Sequence, residues 1–163
     1  MGHGKVLLER ADKIANQVVK CLSPYCKKIE IAGSIRRRKP WVNDIDIVLI
    51  PSDPWNLEHE VRRLARPFTP KLSGEKLKRF NYGDVQVDLY FADEHSWATL
   101  LLIRTGSKEN NIRLASLAKN RGWHLAANGD GLFDDKGERL AGDSEESIYR
   151  ALGLLFQKPE ERG

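Results

Sequence analysis

The run Asp44-Ile45-Asp46-Ile47-Val48-Leu49-Ile50 places two acids at the head of a stretch that is otherwise apolar. Such a run reads as a buried strand, and Asp is disfavoured in strands and rarely buried unless paired or bound to a cation. Carboxylates two residues apart on a strand project from one face, roughly 6.5–7 Å apart along the backbone. That spacing suits two divalent cations about 3.5–4 Å apart, an arrangement used for in-line phosphoryl transfer. The upstream segment Gly33-Ser34-Ile35-Arg36-Arg37 supplies the complementary half. Glycine lets backbone N–H groups approach an anion, the Ser34 hydroxyl can donate to it, and Arg37 can stabilise a leaving pyrophosphate. The combination points to nucleotidyl transfer.

With 163 residues, the chain is one compact domain or two small ones. At 40% hydrophobic and 31% charged residues, it falls outside the disordered and membrane-spanning classes. No signal peptide precedes the first amphipathic segment, so an intracellular setting is expected, cytoplasmic or nucleoid-associated, with a viral origin also open. Cys21 and Cys26 lack a further Cys or nearby His and read as reduced thiols. The net charge of +4 is unevenly placed. Six basic residues lie between Lys27 and Lys39 against Glu30, and five between Arg104 and Leu125 against Glu109. From Ala126 onward, nine acids oppose five bases. Two basic patches on an acidic remainder predict contact with phosphates, although either patch alone is also explained by a solvated face.

Periodicity predicts a helix over 5–22, a strand over 28–32, and a helical turn with Ser34 as N-cap. A central strand follows over 42–50, then a helix over 54–65 and strands at 71–72, 77–82 and 85–91, the last two joined by a turn at 81–84. After a helix at 97–103, Ser107 reads as the N-cap of a helix ending at Gly122, and a small hairpin spans 123–133 with a third strand after Gly137. Asp143 with Glu146 resembles a capping box for a last helix. The division falls at residues 1–104 and 105–163. Trp41, Trp55, Trp97 and Trp123 are read as packing residues, with Trp41 placed between the Gly-Ser turn and Asp44. The four histidines have no ligand spacing.

Alone, Asp-Ile-Asp is a weak signal. A third acid strengthens it: Asp88 lies in Val85-Gln86-Val87-Asp88-Leu89-Tyr90-Phe91, a strand otherwise apolar on one face. Strand-borne acids at Asp44, Asp46 and Asp88 could share one metal among all three and a second between the first two, with Asp88 nearest the attacking hydroxyl.

In order and spacing, Ile31-Ala32-Gly33-Ser34-Ile35-Arg36-Arg37, Asp44-Ile45-Asp46, Val85-Gln86-Val87-Asp88-Leu89-Tyr90 and Thr105-Gly106-Ser107-Lys108-Glu109 resemble the X family of DNA polymerases. The segment from Ile148 to Leu154 and the ending Pro159-Glu160-Glu161-Arg162 are also similar to the family's C-terminus. The resemblance implies an α+β fold: a nucleotidyltransferase palm with a mixed β-sheet and helices, followed by a small α+β thumb/fingers subdomain. It implies addition of dNTPs to a primer 3′-OH, especially across short gaps, with two Mg²⁺ ions or Mn²⁺ in their place, on gapped or primer-template DNA, by a monomer. Asp44, Asp46 and Asp88 then match the metal-binding triad, and Gly33, Ser34 and Arg37 the triphosphate contacts. Thr105, Gly106 and Ser107 fall beside the incoming sugar and base; Asn110, Asn111 and Arg113 fall beside the nascent pair and template. DNA-backbone contacts are expected from Arg36, Arg38, Lys39, Lys71, Lys76, Lys78, Arg79, Lys108, Arg113, Lys119 and Arg121.

Two departures stand out. Ile103 and Arg104 occupy positions where the family often has aromatic residues before Thr-Gly-Ser, which bears on sugar discrimination. Gln86 stands two positions before the third Asp, where a basic residue is common. Read as complete, the chain resembles the pared-down viral members and lacks the lyase domain. Two alternatives compete: a transferase of the same palm acting on RNA ends, a small molecule or a protein, and a non-catalytic DNA-binding module. The Thr105-Gly106-Ser107 match and the C-terminal match argue against the first. The retention of all three acids argues against the second.

Overall fold

The computed structural model describes residues 4–65, 72–73 by their backbone alone, and 76–163. The chain runs β1 (Val6–Leu7), α1 (Leu8–Leu22), a 3₁₀ turn (Ser23–Tyr25), β2 (Cys26–Ile31), α2 (Gly33–Arg36), β3 (Trp41–Val42), β4 (Asp44–Pro51), α3 (Pro54–Leu64), β5 (Leu72–Ser73), β6 (Leu77–Tyr82) and β7 (Val85–Phe91). It continues through α4 (Trp97–Thr105), α5 (Lys108–Asn120), β8 (His124–Ala126), β9 (Gly131–Phe133), β10 (Arg139–Ala141), α6 (Glu145–Ala151) and a 3₁₀ turn (Pro159–Glu161).

Five strands form a mixed sheet in the order β2-β4-β7-β6-β5, in which only β4 and β7 are parallel. The apolar run of β4 is what makes it central: Ile45, Ile47, Val48 and Leu49 have no exposed surface. Burying a side chain of this size contributes about 1.5–3 kcal/mol, enough to hold a strand whose first turn carries acids. Ala11, Ala15, Val18 and Leu22 of α1 and Leu57, Val61 and Leu64 of α3 join one face of the sheet in the main core. Leu100 and Leu101 of α4 cover Val48 on the other. The C-terminal residues build a separate core from Leu102, Leu114, Ala118, Leu125, Leu132, Ile148, Tyr149 and Leu152 around the antiparallel sheet β10-β9-β8. Helix α4 contributes to both. This α+β architecture agrees with the expected class.

Several local expectations shift. Val6–Leu7 leave the first helix to pair with Trp41–Val42, so Val42 belongs to a two-stranded ribbon and not to the central strand. Ser34 is not an N-cap; Ala32 precedes α2 without a side-chain cap. The last helix is capped reciprocally by Ser144 and Ser147, one residue beyond the Asp143 and Glu146 pairing expected. Trp41 and Trp55 are 54% and 75% exposed, against the packing expectation, whereas Trp97 and Trp123 pack on the smaller cores. Cys21 and Cys26 are free thiols, and burial pushes the Cys26 thiol up to about 11. Among the described residues, no helix is long and apolar enough to cross a membrane.

A buried ionic knot joins the N- and C-terminal parts. The Arg36 guanidinium donates to both oxygens of Glu145 at 2.9 and 2.8 Å, and Arg162 donates to Glu145 Oε2 at 2.9 Å. Burial acts to raise the Glu145 carboxyl, but Arg36 and Arg162 outweigh it and hold the group below its ordinary range. Losing the shared acid strands two guanidiniums. Glu145→Ala should therefore lower stability by about 3–5 kcal/mol, read by urea unfolding. A loss below about 1 kcal/mol would show that the knot is dispensable.

Candidate active site

Strand register brings the acids together. Asp46 lies directly opposite Asp88 in the parallel β4–β7 ladder, and Asp44 lies opposite Gln86. Alternation puts all four on one face at the entering end of both strands. Asp88 is 4% exposed. The Tyr90 hydroxyl lies between the two carboxylates, 3.4 Å from Asp46 Oδ1 and 3.4 Å from Asp88 Oδ2. The Arg104 guanidinium stacks on the Tyr90 ring at 4.2 Å. Burial, then the charges of Asp88 and Asp44, push the Asp46 carboxyl up to about 7 from an ordinary 3.8, with Tyr90 and Arg104 opposing. The face holds more negative charge than its neighbours neutralise.

The ready-made cage expected from the three acids is not formed. Among the described residues, no three His, Cys, Asp or Glu side chains are grouped so as to hold a metal ion as they stand. Both oxygens of Asp88 are engaged by a fork from Arg79, Nε to Oδ1 at 2.8 Å and Nη2 to Oδ2 at 3.2 Å. The donor set nevertheless suits a hard divalent cation. It consists of carboxylate oxygens, and the pairing of Asp46 with Asp88, with Asp44 two residues along the same strand face, crowds like charges that a cation would offset.

Gly33 abuts this face. Its φ of +62° lies in the left-handed region, and a Cβ there would sit 2.3 Å from Asp46 Oδ2. Both facts require glycine. The Ala32 amide donates to Asp46 O at 2.7 Å, tying the turn to β4. Arg37 Nη1 donates to Thr105 O at 2.6 Å, while its Nε is buried without a hydrogen-bond partner among the described residues. Ser34, Arg37, Asp44 and Asp46 line one concavity of about 450 Å³, with Lys5, Lys39 and Trp41 at its rim. A larger cavity of about 760 Å³ at the far end of β4, beside Pro51 and Phe91, contains none of these acids.

Arg36, one residue before Arg37, turns the other way, to Thr105 Oγ1 at 2.9 Å and to Glu145. The Gly106–Ser107 peptide is cis. Ser107 caps α5, accepting from the Asn110 amide at 3.2 Å, and its hydroxyl donates to Arg162 O at 2.6 Å. Asn110 is buried and donates to the Tyr149 hydroxyl at 3.0 Å, whereas Asn111 donates to Ile103 O at 2.8 Å and keeps a buried Oδ1 without a partner among the described residues. Arg113 is exposed and reaches Asn110 and Gln157.

Of the residues expected on a DNA backbone, four besides Arg113 are closely bound within the protein. Arg36 binds Glu145, Lys78 pairs with Glu58 at 2.5 Å, Arg79 binds Asp88, and Arg121 donates to the carbonyls of Ala151 and Leu152 at 2.9 Å each. Lys76, Lys108 and Lys119 are exposed, Arg38 is 3.8 Å from Asp12, and Lys39 lines the concavity. Lys71 lies outside the described residues. Sequence reasoning missed Tyr90, Glu145 and Arg162, and assigned Arg79 to the DNA backbone, where the structure has it on Asp88. Tyr90 was within reach, since it shares a strand face with Asp88.

Residues 100–163 match the family described as DNA polymerase beta thumb. The chain is 29% identical over 156 residues to a Bacillus subtilis DNA polymerase/3′-5′ exonuclease PolX, covering 92% of this chain and 27% of that protein, about a quarter of the relative's length. It is 28% identical to a repair DNA polymerase X of African swine fever virus, covering 90% of this chain and 86% of that one. A Leishmania infantum polymerase beta, solved as a ternary P/T complex, superposes with a TM-score of 0.79 at 22% identity, covering 98% of this chain and 77% of that chain.

Two outcomes test the site's packing and charge. Gly33→Ala should cost about 2–4 kcal/mol in urea unfolding, and Gly83→Ala, with similar φ but no neighbour within 4 Å, about 1 kcal/mol. Equal losses would mean that Asp46 yields freely. The raised Asp46 carboxyl contributes stability to the cation-free fold that is present below about pH 4 and is lost as pH rises through about 7. Asp46→Asn should therefore be more stable than the parent at pH 8 in EDTA, by on the order of 2 kcal/mol, with the gap closing toward pH 4. A constant gap would contradict the assignment.

Proposed function

From its membership of the X family of DNA polymerases, we infer that this chain carries a DNA-directed DNA polymerase core, which adds dNTPs to a primer 3′-OH and fills short gaps in repair. The observation that most supports this reading is the pairing of Asp46 with Asp88 across parallel strands, against a glycine turn whose neighbouring Arg37 keeps a buried N–H unused. The match of residues 100–163 to a polymerase thumb favours a templated polymerase over a general transferase of the same palm.

Each residue's role follows from its placement. Asp44, Asp46 and Asp88 would hold two divalent ions, Mg²⁺ or Mn²⁺, which when bound would supply charge neutralisation to the transferring phosphate. Ser34, which lines the concavity, would present its hydroxyl to the triphosphate, and Gly33 before it would present an amide. Arg37 would add a charge-assisted donor, and its tie to Thr105 O would link occupancy of that floor to the Thr105–Ser107 turn beside the sugar and base. Asp88, the most enclosed of the acids, would receive or orient the proton of the primer hydroxyl. Asn111, with a buried acceptor to spare, and Arg113 would face the nascent pair and template. The exposed Arg38, Lys108 and Lys119 would touch phosphates, so binding should weaken steeply with salt.

Extension of a labelled primer on gapped and open templates tests the reading. Asp46→Asn and Asp88→Ala should each lower the rate by at least about a thousandfold with the fold retained, and Arg37→Ala should raise the KM for dNTP more than the Kd for DNA. Full activity of either acid variant would remove the roles assigned, and a selective loss of DNA affinity would move Arg37 to the duplex.

A further inference from the structure

We propose that Arg79 is the positioning residue of Asp88, supplying from the neighbouring strand the cation that Gln86, two positions before Asp88, does not. This rests on the reading of Asp88 as the group facing the primer hydroxyl. Arg79 and Asp88 are directly opposite in the antiparallel β6–β7 ladder, so their side chains leave the sheet on the same face. The adjoining residues of β6 take the other face: Lys78 pairs with Glu58, and Phe80 is fully buried in the main core. Arg79 is therefore the side chain that β6 offers to the acids at this register.

Its contact is a two-point one. The donors Nε and Nη2 engage separate oxygens of Asp88 at 2.8 and 3.2 Å, which fixes the plane of the carboxylate as well as its position. Gln86 also reaches both oxygens, but at 3.3 and 3.5 Å and without charge. The Asp88 side chain is 5% exposed and stands beside Asp46, so an unopposed charge there would be expensive to hold. Arg79 opposes it while no cation is present. Because the fork engages both oxygens and adds positive charge beside them, a divalent ion that draws on Asp88 must compete with it. Arg79 thus orients Asp88 for reaction and also weakens cation binding to the free protein.

Three proteins test this: the parent, Arg79→Gln, and Arg79→Gln combined with Gln86→Arg, which moves the guanidinium to the strand of Asp88. Mn²⁺ titration of the free protein, followed by electron paramagnetic resonance, reads the cation site without turnover. Single-turnover primer extension at saturating dNTP reads the chemistry. Arg79→Gln should bind Mn²⁺ at least about threefold more tightly and extend about tenfold more slowly, with the KM for dNTP within about twofold. The relocated cation should move both quantities back toward the parent. Unchanged Mn²⁺ binding and rate in Arg79→Gln would overturn the proposal, as would a loss confined to DNA affinity. So would failure of the double variant to recover either quantity while circular dichroism and melting show an intact fold. Should the parent itself not extend primers, the polymerase reading falls, and the Mn²⁺ arm still decides whether Arg79 restrains Asp88.

Discussion

The rest of the structure depends on the parallel pairing of β4 with β7, which sets Asp46 beside Asp88. Two carboxylates at neighbouring positions on adjacent strands repel, and burial removes the water that would screen them. The fold tolerates this because the same two strands are otherwise deeply apolar. Ile45, Ile47, Val48, Leu49, Val87 and Leu89 have no exposed surface, and each contributes on the order of 1.5–3 kcal/mol on burial. The remaining imbalance is spread over three groups of different kinds: the Arg79 fork, the Tyr90 hydroxyl and the Arg104 guanidinium. The Tyr90 hydroxyl is itself held protonated far above its ordinary range by burial and by Asp46 and Asp88, so it acts here as a donor. A site balanced this way is poised to accept positive charge.

The second constraint is the division of labour between adjacent arginines. Residues one apart on a helical turn point about 100° apart, so Arg36 and Arg37 take different partner atoms. Arg36 goes to the Glu145 knot and Thr105 Oγ1, while Arg37 goes to Thr105 O and the concavity that holds Asp46. Both end on Thr105, the last residue of α4. Arg162, on the other side of Glu145, accepts through its carbonyl from the amide and hydroxyl of Ser107. The Thr105–Ser107 turn is thus fixed from both flanks, by the Gly33–Arg37 segment and by the C-terminal tail. Asn110 has a matching structural duty, since its amide group spans Tyr149 and Arg113.

Much of this was legible in the sequence, and what was not has identifiable causes. The central strand, the helices and the α+β class follow from period and apolar runs, which depend on near neighbours. The sharing of one face by Asp44 and Asp46 follows from period two alone. Register between strands does not: nothing local says that Arg79 faces Asp88, so it was grouped with surface cations. Glu145 was invisible for a similar reason, because its partner Arg36 lies more than a hundred residues away, and Arg162 gains its role only through Glu145. Trp41 erred differently. Its two-residue strand borrows order from Val6–Leu7, and a ribbon that short buries only one side chain per strand, leaving Trp41 and Leu7 outside.

The contrast between Gln86 and Arg79 carries a more general point about motifs written along a single strand. Judged by sequence alone, a neutral residue two positions before the third acid looks like a weakened site. In the sheet, the position opposite an acid is as close to it as the position two residues away on its own strand, because cross-strand Cβ atoms lie about 4.5–5.5 Å apart. A counter-charge can therefore be exchanged between the two places without loss of contact, provided that register is held. Here register is held by six paired positions between β6 and β7. The quantity to compare across such sites is the set of donors reaching the carboxylate, and by that measure Asp88 is well supplied: a guanidinium fork, an amide and a phenol converge on its two oxygens.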